Sequence, residues 1–129
     1  MVERVIATDA AAAVIERLKQ MHGPLMFHQS GGCCDGSSPM CYPAGEFKVG
    51  GVDVHLGALC GCEFWMWEDQ YKFFASSQLV IDVVPGRGGG FSLEAPEGVR
   101  FLLRSRIFTD EELADLEQQG QPPRGSVPA

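Results

Sequence analysis

The chain lacks the features of several large protein classes. No apolar run approaches the roughly 20 residues that a membrane-spanning helix needs, and the N-terminal segment has no long apolar stretch before a cleavage site. Positive charge is scarce, since 10 Lys and Arg stand against 17 Asp and Glu, for a net charge of −7. Such an acidic surface disfavours contact with nucleic acids and anionic membranes. We therefore predict a cytoplasmic protein that binds neither.

Familiar catalytic and nucleotide-binding patterns are also missing. The glycine-rich segment "VPGRGGGFSLE" (84–94) has no Lys-Ser/Thr pair after its glycines, so it does not match a phosphate-binding loop. Arg87 within it is a candidate for binding a carboxylate or phosphate. No Ser-His-Asp order, paired-carboxylate pattern or dinucleotide fingerprint is present. The chemistry must therefore be sought elsewhere in the chain.

The apolar and polar patterns predict one α+β domain over residues 1–119, followed by a disordered tail over 120–129. Helices are expected at 9–21, capped by Thr8, and at 108–119, where Thr109 and Glu112 have the spacing of a capping box. The sheet is expected to be mainly antiparallel, and its exposed edges make a homodimer reasonable. The first helix has a predicted apolar face of Val14, Ile15, Leu18 and Met21. Strands are predicted at 24–29, 46–59 (two strands turning at Gly50-Gly51), 62–67, 78–86 and 89–105 (a hairpin turning at 96–98).

Cysteine is the residue type that points to function. Five cysteines fall into two groups: Cys33, Cys34 and Cys41 in "SGGCCDGSSPMCY", and Cys60 and Cys62 in "LCGCE". In a reducing compartment, clustered cysteines are more often metal ligands or catalytic groups than structural disulfides. A predicted hairpin separates the two groups and would bring them face to face. Both groups are therefore candidate ligands of one metal ion.

The residue types favour a soft or borderline metal. Thiolates suit zinc, copper(I) or iron, and zinc is the default for a cysteine-rich site in the cytosol. The spacing is not that of a zinc finger, and the adjacent Cys33 and Cys34 cannot easily bind one tetrahedral ion together. His28, five residues before Cys33, is a possible additional ligand. His55 is expected to share a solvent-facing side of its strand with Asp53.

Two other interpretations stay open beside the metal site, and with them the question of whether the protein is an enzyme. The "GGCCDG" loop offers backbone N–H groups that would stabilise a thiolate, so Cys33 or Cys34 could act in thiol redox chemistry with Cys41 as the resolving thiol. The charge of Asp35 opposes this by raising a neighbouring thiol pKa. The strand "CEFWMW" presents Trp65 and Trp67 on one face, which would suit an interaction module. Any single cysteine could also be a small buried hydrophobic residue.

The segments "GPLMFHQSGGCCDGSSPMCYPAGEF" and "VIDVVPGRGGGFSLEAPEGVRFLLRSRIFTDEEL" resemble a family of small bacterial proteins called domain of unknown function 779. The likeness covers roughly residues 11–115. Members are often encoded beside aldehyde dehydrogenases, so the resemblance implies an accessory role in aldehyde or alcohol oxidation, with an aldehyde dehydrogenase as a possible partner. It supplies no activity to carry over.

Overall fold

The computed structural model describes residues 2–29, 39–46, 49–86, 92–120 and 122–123. Within these residues the chain forms an α+β fold, as predicted, with one helix near each terminus and a third between two strands. The helices are α1 (Asp9–His22), α2 (Glu68–Phe74) and α3 (Asp110–Gln119). The strands are β1 (Val5–Ala7), β2 (Leu25–Gln29), β3 (Met40–Pro43), β4 (Asp53–Leu59), β5 (Cys62–Trp67), β6 (Ser77–Pro85) and β7 (Val99–Ile107).

The two terminal helices begin where their caps predict. The Thr8 side chain accepts a hydrogen bond from the Ala11 amide at the start of α1. Thr109 and Glu112 form a reciprocal capping box at the start of α3. The predicted apolar face of α1 is buried except at Met21, which lies in the last turn of the helix and is 56% exposed.

The strands form two mixed sheets. The three-stranded sheet has the order β1-β6-β7, and the four-stranded sheet has the order β3-β2-β5-β4. Each sheet contains one parallel pairing, β1 with β6 and β2 with β5, and its other pairings are antiparallel. The mainly antiparallel sheet of the sequence prediction is thus two sheets with a parallel pair in each.

Aromatic side chains join the two sheets into one core. The ring of Phe27 in the four-stranded sheet stacks 6.0 Å from Phe64 and meets the edge of Phe101, from the three-stranded sheet, at 5.2 Å between centroids. All three side chains are fully buried, and α1 adds Ile15 and Leu18 to the same cluster. Burial of such large side chains is the main stabilising contribution to the fold.

The predicted hairpin over 89–105 was wrong, and the predicted hairpin over 46–59 lies partly outside the described residues, at 47–48. Strand β7 pairs with β6 along its whole length, and residues 95–97 form a short 3-10 turn. The prediction had paired β7 with residues 89–94. Gly50 and Gly51 do lie in a turn that leads into β4, but the described residues before it, 46 and 49, are not in a strand. In both places glycines mark a change of direction, and they do not identify the strand that pairs across it.

Candidate functional site

One row of side chains crosses the outer face of the four-stranded sheet. Met40, His28, Trp65 and His55 are register partners on β3, β2, β5 and β4. Side chains in register point to the same side of a sheet. His28 and His55 therefore flank Trp65 on the face opposite the core.

His28 forms a buried pair with Asp53 on this face. Its Nε2 lies 2.7 Å from Asp53 Oδ1, and the two side chains are only 3% and 8% exposed. The other carboxylate oxygen accepts a hydrogen bond of 2.9 Å from the Gly50 amide. Because a carboxylate oxygen accepts, Nε2 is the donor of this hydrogen bond. The turn at Gly50 thus fixes the carboxylate, and the carboxylate fixes the imidazole.

The second histidine of the row forms an exposed pair. His55 Nε2 is hydrogen-bonded to Glu63 Oε2, and the two side chains are 24% and 55% exposed. The imidazole also packs edge-on against Trp65, with 4.9 Å between ring centroids. Trp67, farther along β5, is 38% exposed. The predicted alternation of β5 is confirmed, with Phe64 and Met66 buried behind this face.

Cys41 lies on the opposite, core-facing side of the sheet. It is the register partner of Phe27 and is fully buried. Its amide donates to Ser92 Oγ at 2.9 Å, and its carbonyl accepts from the Leu93 amide at 3.0 Å. Ser92 is hydrogen-bonded in turn to the buried carboxylate of Glu94. Burial, and next the charge of Glu94, raise the pKa of the Cys41 thiol far above its usual range.

These contacts join the two segments that carry the family resemblance. Ser92 and Leu93 close the "PGRGGGFSLE" segment and bond to β3, which follows the cysteine loop. Glu94 also accepts a 3.2 Å hydrogen bond from the Phe101 amide, which ties the segment to β7. Residues 92–94 are therefore joined to β3, the edge strand of the four-stranded sheet, and to β7.

Cys60 and Cys62 lie at the other end of the sheet. Cys60 and Gly61 form the two-residue turn between β4 and β5, and Cys62 is the register partner of Leu59. Strand β2 runs parallel to β5 and ends at Gln29, beside Met66. The cysteine loop therefore leaves β2 four residues along the sheet from Cys62, or about 13 Å at the rise of a strand.

The structure does not bring all the candidate ligands together. His28 is on the outer face, whereas Cys41 and Cys62 are both buried on the core-facing side, where the nearby Cys62 adds to the raised pKa of Cys41. Cys60 lies in the turn between β4 and β5. In the described part of the chain, no group of three or more His, Cys, Asp or Glu side chains is arranged to hold a metal ion. Cys33, Cys34 and Arg87 lie outside the described residues. Their assignment to a site stays a prediction.

Sequence reasoning did not identify Asp53 or Glu94 as important residues. Counting by two along β4 correctly placed Asp53 on the face of His55, but it assigned that face to solvent, whereas Asp53 is buried. The available signal was the Gly-Gly turn just before Asp53, because such a turn can hold a carboxylate by its amides. Glu94 gave no comparable signal, since its partners Ser92 and Phe101 come together only in the folded chain.

No helix among the described residues is both long and apolar enough to cross a membrane. No curated protein and no solved structure matches the chain. The family described as "Domain of unknown function (DUF779)" matches residues 14–107, which is most of the chain and includes the first resembling segment and all but the last six residues of the second. The chain therefore belongs to the DUF779 family.

Proposed function

We propose that the protein is a thiol-based metal-binding protein that assists aldehyde or alcohol oxidation. Its site would lie on the outer face of the four-stranded sheet, where β2 leads into the cysteine loop. The observation that carries the proposal is the buried pair of His28 and Asp53. Zinc is the default metal, with copper(I) or iron as the alternatives.

The pair has the arrangement that metal-binding histidines use. A histidine ligand nearly always donates its other ring N–H to a carboxylate or carbonyl, which orients the ring and makes the ligating nitrogen more basic. Asp53 receives the Nε2 hydrogen of His28 at 2.7 Å. Nδ1 would then be the ligating atom. Burial of both side chains supports a functional role, because a buried polar pair at a sheet surface costs desolvation energy.

The chain order supports Cys33 and Cys34 as the thiol ligands. They follow His28 by five and six residues, so an extended connection keeps each within about 20 Å of it. Cys41 is less favoured, because its thiol faces the core and burial keeps it protonated. The far position of Cys60 and Cys62 disfavours them as ligands of the same ion. The proposed ligand set is therefore His28 with Cys33 or Cys34.

The family gives the context of this proposal. The resemblance to proteins encoded beside aldehyde dehydrogenases supports an accessory role, with such a dehydrogenase as the proposed partner. The proposed location is the cytoplasm, where the thiols remain reduced and able to bind metal. A bound ion would supply Lewis acidity or a redox centre. The residues of this chain would orient it and shield one side from water.

The experiment is elemental analysis of the full chain, purified without chelator or metal-affinity tag. We expect near-stoichiometric metal in the native protein and little in a Cys33→Ser/Cys34→Ser double variant. Asp53→Asn should weaken metal affinity about 10- to 100-fold, the usual effect of removing such a carboxylate. His22→Ala, at the exposed end of α1, is the matched control and should bind as the native protein does. Metal content that is absent, or unchanged in the double variant, would refute the proposal.

A second candidate is thiol catalysis at the same place. The His28–Asp53 pair is also the arrangement in which a carboxylate orients a histidine that activates a nucleophilic thiol. Cys33 or Cys34 would then be the nucleophile, and aldehyde or a dehydrogenase cysteine the target. Two results together would favour this candidate. The native protein would contain no metal, and iodoacetamide would label one thiol at neutral pH in the native protein but not in His28→Gln.

A third candidate is a non-catalytic interaction module for a dehydrogenase. The 38% exposure of Trp67 supports it, because a large aromatic side chain at a surface is a common anchor of protein interfaces. Dehydrogenase binding that is lost in Trp67→Ala and kept in the Cys33→Ser/Cys34→Ser variant would favour it over the two thiol-based functions.

A further inference from the structure

The turn between β4 and β5 has an unusual residue in a strained position. Cys60 has φ of 51° and Gly61 has φ of 81°, so both residues of this two-residue turn are left-handed. Such turns favour Asn-Gly, since asparagine tolerates positive φ better than other side chains. Among the described residues Cys60 is the only non-glycine residue with positive φ. Strain of this kind is concentrated at functional positions.

The two thiols of the turn differ in access to solvent. Cys60 is half-buried and packs against the hydrophobic core, so its side chain leans toward the core-facing side of the sheet. Cys62 is 1% exposed on that side, and its Sγ lies 3.9 Å from the Cys60 carbonyl oxygen. Cys60 therefore keeps part of its surface exposed to solvent, whereas Cys62 is closed to solvent.

A lysine ammonium lies over this turn. Lys19 Nζ donates to the Cys60 carbonyl at 2.7 Å and to Glu16 Oε1 at 2.9 Å. Burial raises the pKa of both thiols, and the charge of Glu16 raises that of Cys60 further. The charge of Lys19 acts in the opposite direction on both thiols, and both pKa values stay raised. When the protein stabilises the thiolates only weakly, the reduced dithiol is not favoured over the disulfide. Such a pair is therefore a good reductant as a dithiol and a poor oxidant as a disulfide.

We propose that Cys60 and Cys62 are a dithiol redox site that reduces external disulfides. The Cys60 thiolate attacks a disulfide RSSR, forming a Cys60–S–S–R bond and releasing one thiolate RS⁻. The Cys62 thiolate then attacks Cys60 Sγ, forming the Cys60–Cys62 disulfide and releasing the second RS⁻. The two cysteine protons end on the two leaving thiolates. The dithiol is oxidised by two electrons, and RSSR is reduced to two RSH.

This site is separate from the proposed metal site. Neither thiol belongs to the ligand set of His28, Cys33 and Cys34, and the two places are at opposite ends of the sheet. The proposed order of attack follows from exposure, since Cys60 is partly exposed to solvent and Cys62 is buried. The substrate class is an accessible disulfide, either small or on a protein surface.

The test is peptide mapping of the full chain after exposure to oxidised glutathione. Trypsin should release residues 49–72 as one peptide, because Lys48 and Lys72 bound it with no Lys or Arg between them. That peptide holds Cys60 and Cys62 and no other cysteine. The thiols that remain free are then blocked with an alkylating reagent. We expect the mass of this peptide to be two hydrogen atoms below that of the reduced peptide, with no blocking group attached. A peptide with both thiols blocked, or with only a glutathione adduct, would overturn the proposal.

Two variants assign the order of attack. Cys62→Ala should accumulate glutathione on Cys60, because the resolving thiol is gone. Cys60→Ala should leave Cys62 reduced and unmodified, because Cys62 is closed to the reagent. Cys41→Ala is the control and should form the Cys60–Cys62 disulfide as the native chain does. Glutathione on Cys62 in the Cys60→Ala variant, with native circular dichroism, would reverse the assigned roles and contradict the proposal.

Discussion

The two histidine–carboxylate pairs of the four-stranded sheet use the same residue chemistry in different surroundings. His28–Asp53 and His55–Glu63 lie on the same face, and their histidines are in one register row on either side of Trp65. The first pair is almost closed to solvent and its carboxylate is held by the Gly50 amide. The second is open, and its glutamate is more than half exposed.

The comparison indicates that burial determines how firmly a histidine–carboxylate pair is held. In the exposed pair, water competes for each hydrogen bond, and an interaction of this kind contributes between about 0 and 1 kcal/mol. In the buried pair, each group depends on its partner, so the geometry is fixed and removal of one partner is costly. A fixed imidazole can serve as a ligand or a base, which is why the proposed function rests on His28 rather than on His55.

The largest effect is expected from the core beneath the buried pair. Phe27 precedes His28 on β2, and its ring contacts Phe64 and Phe101 from both sheets. Phe27→Ala should lower the free energy of unfolding by about 4 kcal/mol, through lost burial and the cavity left behind. Urea unfolding followed by tryptophan fluorescence measures it. If Phe27→Ala lowered the free energy of unfolding by less than Asp53→Ala does, the polar pair, and not the core, would hold β2 in place.

Removal of the two carboxylates tests the comparison directly. Asp53→Ala should lower the free energy of unfolding by about 3 kcal/mol, since it leaves the buried His28 ring and the half-buried Gly50 amide without this acceptor. Glu63→Ala, on the exposed pair, should change it by no more than about 0.5 kcal/mol. Urea unfolding of both variants under the same conditions gives the two values. Equal costs would remove the distinction between the pairs.

Much of the fold could be predicted because local rules govern it. The caps at Thr8 and Thr109 fixed where two helices begin, and alternation along β5 separated Phe64 and Met66 from Trp65 and Trp67. The partner of β7 could not be predicted in this way. Both the 89–94 segment and β6 follow the strand pattern, and only long-range packing selects β6.

The site was predictable in part for a related reason. His28 was identified as a candidate from its place before the cysteine loop, but its partner Asp53 is 25 residues away and joins it only across β5. The two cysteine groups were expected to meet at one end of a sheet. The parallel pairing of β2 with β5, which no local pattern encodes, sets the end of β2, which precedes Cys33 and Cys34 in the sequence, at the opposite end of β5 from Cys62. Cys41, the member of the first group that the structure describes, lies near Cys62 on the core-facing side.

At the other end of β4 and β5, a substitution in the turn at Cys60 should increase the stability of the protein. Cys60→Asn should raise the free energy of unfolding by about 0.5–1 kcal/mol, part of the roughly 1–2 kcal/mol that a left-handed conformation costs an ordinary side chain. The measurement is urea unfolding with a reductant present, so that no disulfide forms. Ala58→Asn, at an exposed and extended position of β4, is the control and should give no gain. A loss of stability in Cys60→Asn would show that the thiol packs too well to be called strained.

The smallest effect is expected at Glu112, a carboxylate in the first turn of α3 that belongs to neither histidine pair. The bidentate contact from Arg106, at 2.8 Å to each oxygen, and next the Thr109 amide hold the pKa of Glu112 at about 2, below its ordinary 4.5. Because the folded-state pKa is lowered, this stabilisation is complete above pH 4.5 and is lost as the pH falls toward 2. Glu112→Gln should therefore weaken the dependence of the urea midpoint on pH across that range. Asp82 and Asp115, whose pKa values are also lowered by hydrogen bonds, keep part of the dependence in the variant. An unchanged pH profile would show that solvent screens this exposed contact as fully as it is expected to screen His55–Glu63, and that only burial gives a carboxylate of this protein a measurable role.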